Sequence, residues 1–332
     1  LQKLNKHNDA LDCYKKAIEI KPDFSHAINN LGHLQLLLGN YEDGWKNYEW
    51  RKKILKDNYF EIYKTIEWSG KKNIRKKTIF ISKEQGLGDY IQFCRYLPMV
   101  KKLGANIILD PPSALKNLID NMKIDYTHID DLKTKKFDYH CSIASLPLAF
   151  KTKLETIPNN IPYLFTPKNI KDYWKEKLKG DKIKIGLKWS GNKNYYNDHN
   201  RSTKLETFAP LFDSPFEFHS LQIEYSDEDE KFKQKIPNLF CHKDQILGLD
   251  NTAGLIDAMD LIIIVDTGIV QLCGALGKKF WVLLSDSSDY RWLLKRNDSP
   301  WFPNGKIYRQ KTKGDWENLI KTIKKDLKKF KN

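Results

Sequence analysis

The chain repeats one pattern: a short apolar, β-branched run that enters a glycine or polar turn and then a helical segment. T-I-F-I-S at 78–82 leads into K-E-Q-G-L-G-D at 83–89, and a helix follows with Ile91, Phe93, Leu97 and Val100 on its apolar positions. A-N-I-I-L-D at 105–110 stops at Pro111-Pro112; a helix from Ser113, a strand near 139–143 and a turn at 145–147 complete the unit. Strand, helix and strand in this order predict parallel pairing and a doubly wound sheet. A second unit follows a connector bearing Pro158, Pro162 and Pro167. Its strands read at 183–189, 217–222, 261–268 and 279–284, and its helices at 173–178, near Tyr290 and over 316–330. Two such sheets in tandem offer a cleft at their carboxyl-terminal strand edges, where ligands sit in these folds.

Residues 1–56 carry a different, helical periodicity. Ala10 and Tyr14 are followed 34 positions later by Gly44 and Tyr48, and Asn5 by Gly39. N-N-L-G at 29–32 lies between, and Pro22 follows Ala10, Tyr14 and Ala17, where a repeat of this kind puts a proline after its second helix. This spacing resembles the tetratricopeptide repeat. Gly32, Ala10 and Ala17 would let helices approach, and Tyr14 and Tyr48 would fill the gap between them. About one and a half repeats are visible, whereas an array needs roughly three. Either further repeats precede, or the piece leans on the next domain; an ordinary helical hairpin is the plainer alternative. A charged connector, 57–77, joins it to the first sheet.

Composition narrows the function classes. The 332 residues suit two domains and an appendage. Hydrophobic residues at 40% exclude a disordered chain, and no apolar run approaches the roughly 18 residues of a membrane span. The net charge of +15 comes from 57 basic residues, of which seven are arginines. A lysine excess lacks the planar fork that reads bases, so we expect no nucleic-acid partner. Cys13, Cys94, Cys141, Cys241 and Cys273 show no paired spacing, which argues against a zinc site or disulfide framework, fits a reducing compartment, and reads as five buried thiols. The start at Leu1, without a signal peptide, reads as a fragment or processed form, and the expected location is cytoplasmic.

Four loops can carry chemistry. In E-Q-G-L-G-D, Gly86 and Gly88 permit a sharp turn at a helix start, and Asp89 reads first as an N-cap and second as a catalytic carboxylate. The third glycine of a dinucleotide fingerprint is absent. The polar loop at 189–203 holds Arg201 beside Ser202 and Thr203, a set suited to a diphosphate or to a solvated surface loop. V-D-T-G-I-V-Q at 265–271 places Asp266, Thr267 and Gly268 where a buried strand meets a helix, as a phosphate site or again a cap. D-Y-R-W-L-L and D-S-P-W-F-P near the end either wall a groove or simply pack.

Together these motifs resemble bacterial tetratricopeptide-containing glycosyltransferases. E-Q-G-L-G-D-Y-I-Q-F-C-R-Y-L-P, S-L-P-L-A-F, K-W-S-G-N, N-D-H-N-R-S, V-D-T-G-I-V-Q-L-C-G-A-L-G-K and G-D-W occur in order over about residues 5–318. The catalytic part is similar to the ADP-heptose:lipopolysaccharide heptosyltransferases of family 9. The resemblance implies an α/β fold of two Rossmann-like domains (GT-B), 78–165 on the acceptor side and 166–332 on the donor side, behind the helical segment 1–56. It implies Asp89 as the general base, with Gln85, Gly86 and Gly88 in the acceptor-side loop. The donor set is Lys188, Ser190, Asn192, Arg201, Ser202, Gln222, Asp266, Thr267, Gly268 and Gln271. Where these relatives end D-T-G-x-x-H in histidine, this chain has Gln271, which cannot be cationic. Neither metal nor cofactor is expected, since the nucleotide-sugar is a substrate.

The implied reaction is sugar transfer from a nucleotide-sugar to a hydroxyl, on a protein acceptor recruited by 1–56. Two other readings stand beside it: envelope polysaccharide or lipopolysaccharide assembly with the repeats as scaffold, and an inactive GT-B fold used for protein binding. The lysine-rich tail at 321–331 reads as a helix packed on the body, or at most a peripheral contact with an anionic membrane.

Overall fold

The computed structural model describes residues 1, 4–55, 66–84, 86–131 and 136–330. Residue 56, residues 57–65 of the expected connector and Gln85 of the glycine loop lie outside the described residues. The chain divides into two compact units. The first comprises Leu1–Pro112, Lys123–Asn159 and Ser287–Arg296; the second comprises Ser113–Met122, Asn160–Asp286 and Asn297–Asn332. The expected division at residue 165 is therefore displaced slightly and crossed twice, because two short stretches pack with the unit that does not flank them in sequence.

The first unit begins with α1 (His7–Ile20), α2 (Ser25–Leu37) and α3 (Tyr41–Tyr48). Asn40 caps α3, its side chain accepting from the Asp43 amide. Gly32 sets the α2–α3 crossing: a Cβ there would lie 2.6 Å from Tyr48 N and 2.9 Å from the Asn47 carbonyl carbon. Gly44 is equally close to Leu36. Tyr48 is buried, whereas Tyr14 and Ala17 are only half-buried, so Tyr48 does the filling. The helices lean on the rest of the unit. Trp45 donates from Nε1 to Thr152 O at 3.1 Å and meets the Phe93 ring edge-on.

That sheet contains β1 (Ile66–Glu67), β2 (Thr78–Ser82), β3 (Asn106–Leu109), β4 (Thr127–His128) and β5 (Tyr139–Ser142), in the order β1-β5-β2-β3-β4. Every pair is parallel. Buried Ile79, Phe80 and Ile81 occupy both faces of β2, as a covered parallel strand requires. The chain runs outward from β2 to β3 and β4 and returns to β5 on the other side of β2, so the order reverses between β2 and β5. The described part of the connector is built into this unit. Trp68 is buried with Nε1 on Lys72 O, and Gly70, at φ +81°, backs onto Ala149 too closely for any Cβ. The expected turn at 145–147 is instead a 3-10 turn (Ile143–Ser145) running into the helix Leu146–Ala149, because Ser142 caps it by accepting from the Ala144 amide.

The second unit holds β6 (Lys184–Lys188), β7 (Glu217–Ser220), β8 (Leu239–Cys241), β9 (Leu261–Val265), β10 (Phe280–Leu284) and β11 (Gly305–Arg309), in the order β11-β10-β9-β6-β7-β8, all parallel. Here the order reverses between β6 and β9. No helix forms near Tyr290; 289–296 is a turn-rich strap of the first unit. The terminal helix Trp316–Leu327 buries Leu319, Ile320, Ile323 and Leu327 in the core with Leu187, Ile263 and Leu283. Its apolar face is thus occupied by protein, and the membrane reading of the tail loses its anchor. Trp292, Trp301 and Phe302 are fully buried, so these aromatics pack rather than wall a groove. Cys13 and Cys241 are exposed, against the expectation of five buried thiols. Among the described residues no helix is long and apolar enough to cross a membrane.

Filling the α2–α3 crossing tests this packing. Gly32→Leu should cost roughly 1–3 kcal/mol in urea unfolding, the usual penalty of overpacking against backbone that cannot move aside. An unchanged midpoint would mean that the helices do not meet at this glycine.

Candidate functional site

The glycine loop leaves β2 at the point where the first sheet's order reverses. Glu84 is held there in a buried network. Arg51 grips it with Nε on Oε1 at 2.6 Å and Nη2 on Oε2 at 3.0 Å, and Ser142 Oγ donates to Oε2. Arg51 also donates to Glu49 Oε1, at 2.6 Å, and to Ser145 Oγ, at 2.9 Å. Burial alone would raise the Glu49 carboxyl, but the charges and hydrogen bonds of Arg51 and Lys52 hold its pKa below the usual range.

Asp89 is the third residue of the helix Leu87–Phe93 and does not cap it; Gly86 is the N-cap and no side chain bonds the free amides. Its Oδ1 is instead ion-paired with Arg291 Nη2. Arg291 also donates from Nε to Gln92 Oε1, and from Nη1 to Asp289 Oδ1 at 2.7 Å. Gln92 is fully buried, and its Nε2 has no partner. Gly86 has φ −79°, a value any residue adopts. A Cβ there would stand 3.7 Å from Asp89 Oδ2, an ordinary contact distance. Gly88 is half-buried in the first helical turn.

In the second unit the expected donor residues collect at the carboxyl ends of β6, β7 and β9, on both sides of the order reversal. Lys188 ends β6 beside Ile264 of β9 and donates to Gln222 Oε1 at 3.2 Å. Burial pushes its pKa down to about 8; Glu224 and Asp198 oppose the shift and Arg201 adds to it. Thr267 caps the helix Gly268–Ala275 by position only. Its side chain makes no capping bond, and its Oγ1 is buried without a partner. Gln271, with its amide oriented so that Nε2 donates, bonds Thr267 O at 2.8 Å and Gly268 O at 3.2 Å. That nitrogen closes the turn at the start of the helix.

Arg201 is a clamp. It donates to Asp198 Oδ1 at 2.9 Å and to Asp266 O at 3.1 Å, with its guanidinium 4.3 Å from the Tyr195 ring centroid. It ends the short helix Asp198–Arg201, and the 3-10 helix Leu205–Leu211 follows after three intervening residues. Ser202 Oγ accepts from Gly191 N at 2.9 Å, and Gly191 leaves the space that Arg201 and Asp198 fill. Asn192 is exposed and closes a local turn by accepting from the Asn194 amide; Ser190 is half-buried.

Sequence reasoning missed Arg291, Arg309 and the Arg51–Glu84 pair. Burial lowers Arg309, at the end of β11, to about 10 although the Asp266 charge opposes it. Rarity was the available signal: six of the seven arginines are buried or half-buried. Among the described residues, no group of three or more His, Cys, Asp or Glu is arranged to hold a metal ion.

Lys188 yields a prediction. With its pKa lowered from 10.5 to about 8, the unfolded chain binds the extra proton between those values, so this group makes stability rise with pH across that window. Lys188→Met should therefore be more stable than wild type at pH 7, by about 1–3 kcal/mol, and the gap should close towards pH 10.5. A constant gap would contradict the burial of this charge.

Residues 2–39 match the family described as TPR repeat. Protein FlbA of Caulobacter vibrioides is 26% identical over 322 residues, which cover 89% of this chain and 54% of that protein. The chain thus spans about half the length of the curated relative it matches. Among solved structures, the Escherichia coli ADP-heptose lipopolysaccharide heptosyltransferase II superposes with a TM-score of 0.52 at 14% identity, covering 76% of this chain and 98% of that one. A glycosyl transferase of family 9 from Veillonella parvula gives 0.54 at 13%, covering 80% and 92%. The iron-containing dodecameric glycosyltransferase TibC of enterotoxigenic Escherichia coli gives 0.50 at 12%, covering 75% and 67%. The chain therefore carries a tetratricopeptide repeat at its N-terminus, followed by the mixed α/β, GT-B-like fold of the family 9 heptosyltransferases.

Proposed function

We propose that the chain is a glycosyltransferase that moves a sugar from a nucleotide-sugar to a hydroxyl on a protein brought by the repeat helices. The carrying observation lies at the end of β9. Thr267 Oγ1 is buried without a partner at the start of the eight-residue helix Gly268–Ala275, and the neighbouring strand ends in Lys188, which donates to the neutral amide of Gln222. A hydroxyl donor, helix-start amides and a buried cation hydrogen-bonded to a neutral amide together suit a diphosphate. As the sugar–oxygen bond breaks, Lys188 and the helix dipole meet the charge that develops on the leaving diphosphate. Arg201 and Ser202 order the loop beside it, and Gln271 holds the turn.

Asp89 takes the proton of the acceptor hydroxyl through Oδ2, while Arg291 fixes the carboxylate through Oδ1. TibC has been seen with ADP-D-β-D-heptose, which makes ADP-linked sugars the first donors to try. Recruitment of a protein is supported by the repeat match and by α1, where Ala10 is the buried residue and Ile20 is 86% exposed. Deletion of 1–56 would not test recruitment alone, since it also strips Glu84 of Arg51.

A thermal-shift screen of ADP, GDP, UDP and CMP tests the donor site. At 100 times its dissociation constant, the right nucleotide should add about 2.7 kcal/mol of stability. Thr267→Val should lose most of that gain; no shift with any nucleotide would turn the reading towards a non-catalytic binding protein. Asp89→Asn should keep the shift yet lose transfer by about 10²–10⁴-fold, and transfer by wild type should survive EDTA. Full activity in Asp89→Asn would remove the assigned base.

A further inference from the structure

Two lines of contact run from the repeat helices to Asp89. The first is polar. Arg51, three residues beyond α3 and 3% exposed, forks onto Glu84, five residues before Asp89 on the same loop. Ser145 joins the network, taking a hydrogen bond from Arg51 and giving one to Glu49 Oε2 at 2.9 Å.

The second line is aromatic. The Tyr290 ring meets Trp45 of α3 edge-on at 5.8 Å and His33 of α2 at 6.4 Å. Arg291, next in the chain, pairs with Asp89 and donates to Gln92. His33 stands edge-on to Tyr48 at 5.0 Å. Burial lowers its pKa, and the charges of Asp289, Arg291 and Asp89 all act on it, which places the repeat face within electrostatic reach of the base.

We infer that Arg51 and Trp45 are positioning residues for transfer: the repeat segment holds the glycine loop through Glu84 and holds Arg291 through Tyr290, so that it sets the geometry of Asp89. The inference rests on the reading of Asp89 as the base. It gives 1–56 a part in the chemistry that is separate from recruiting an acceptor. Arginine is needed because its fork satisfies both oxygens of Glu84 at once; lysine at 51 keeps the charge but offers a single point contact.

The test uses the full chain with Arg51→Lys. Hydrogen exchange in peptides covering 84–93 and 287–296 should quicken roughly threefold or more, while second-unit peptides stay as in wild type. With transfer assayed, kcat per folded molecule should fall roughly tenfold or more while the nucleotide-sugar KM and the nucleoside diphosphate thermal shift hold. Exchange that quickens only within 41–54, or an unchanged kcat per folded molecule, would overturn the inference. If Arg51→Lys does not fold, Ser145→Ala, which keeps every charge, should show the same pattern in milder form, and a loop that exchanges as in wild type would overturn the inference. A wild type that transfers no sugar would sink the reading of Asp89 as base, and the exchange comparison would still decide whether the repeats hold the loop.

Discussion

The Arg51–Glu84 pair is the contact on which the first unit's site depends. A guanidinium taken out of water is tolerable only where its donors meet acceptors and its charge meets an opposite one. Glu84, Glu49, Ser145 and the Tyr48 carbonyl supply these. Because Glu84 begins the glycine loop, the same bonds that satisfy a buried charge also fix where the loop starts. The helical segment and the sheet are thereby one structural body around the loop, which explains how so short a repeat is held in place.

The second unit treats charge in the opposite way. Lys188 is buried against an amide oxygen and the Thr267 hydroxyl is left without a partner, an arrangement that is electrostatically costly. Sites of this kind depart from the rule that buried polar groups are paired, and such departures concentrate where a ligand completes the pairing. Gln271 shows the complementary economy of a polar side chain used inward. Its amide closes on two backbone carbonyls of the turn, so the loop keeps its shape without a cation at that position.

Much of the fold was legible because the long buried strands β2, β6, β9 and β10 are apolar through most of their length, a pattern that survives without knowledge of neighbours. β1, β4, β8 and β11 were not read: β1 and β4 are two residues long and β8 three, β8 is largely exposed, and β11 carries an exposed Lys306 among buried neighbours. The turn-rich strap at 289–296 was mistaken for a helix because its apolar residues follow helical spacing, whereas tertiary contacts of Tyr290 and Trp292 decide its shape. Asp89, Lys188 and Thr267 could be singled out as candidates because residues at or after the end of a parallel strand fall at the edge where such folds bind ligands.

Sequence alone therefore determined the parallel sheets, the helical repeat in front of them and the chemistry-bearing strand ends, since hydrophobic period and turn residues act over a few neighbouring positions. Only the tertiary structure decided which charges meet. Arg291 reaches Asp89 across 202 positions, Arg51 reaches Glu84 across 33, and Arg201 reaches the Asp266 carbonyl across 65. Pairing at such separations depends on how whole elements pack, and no local pattern encodes it.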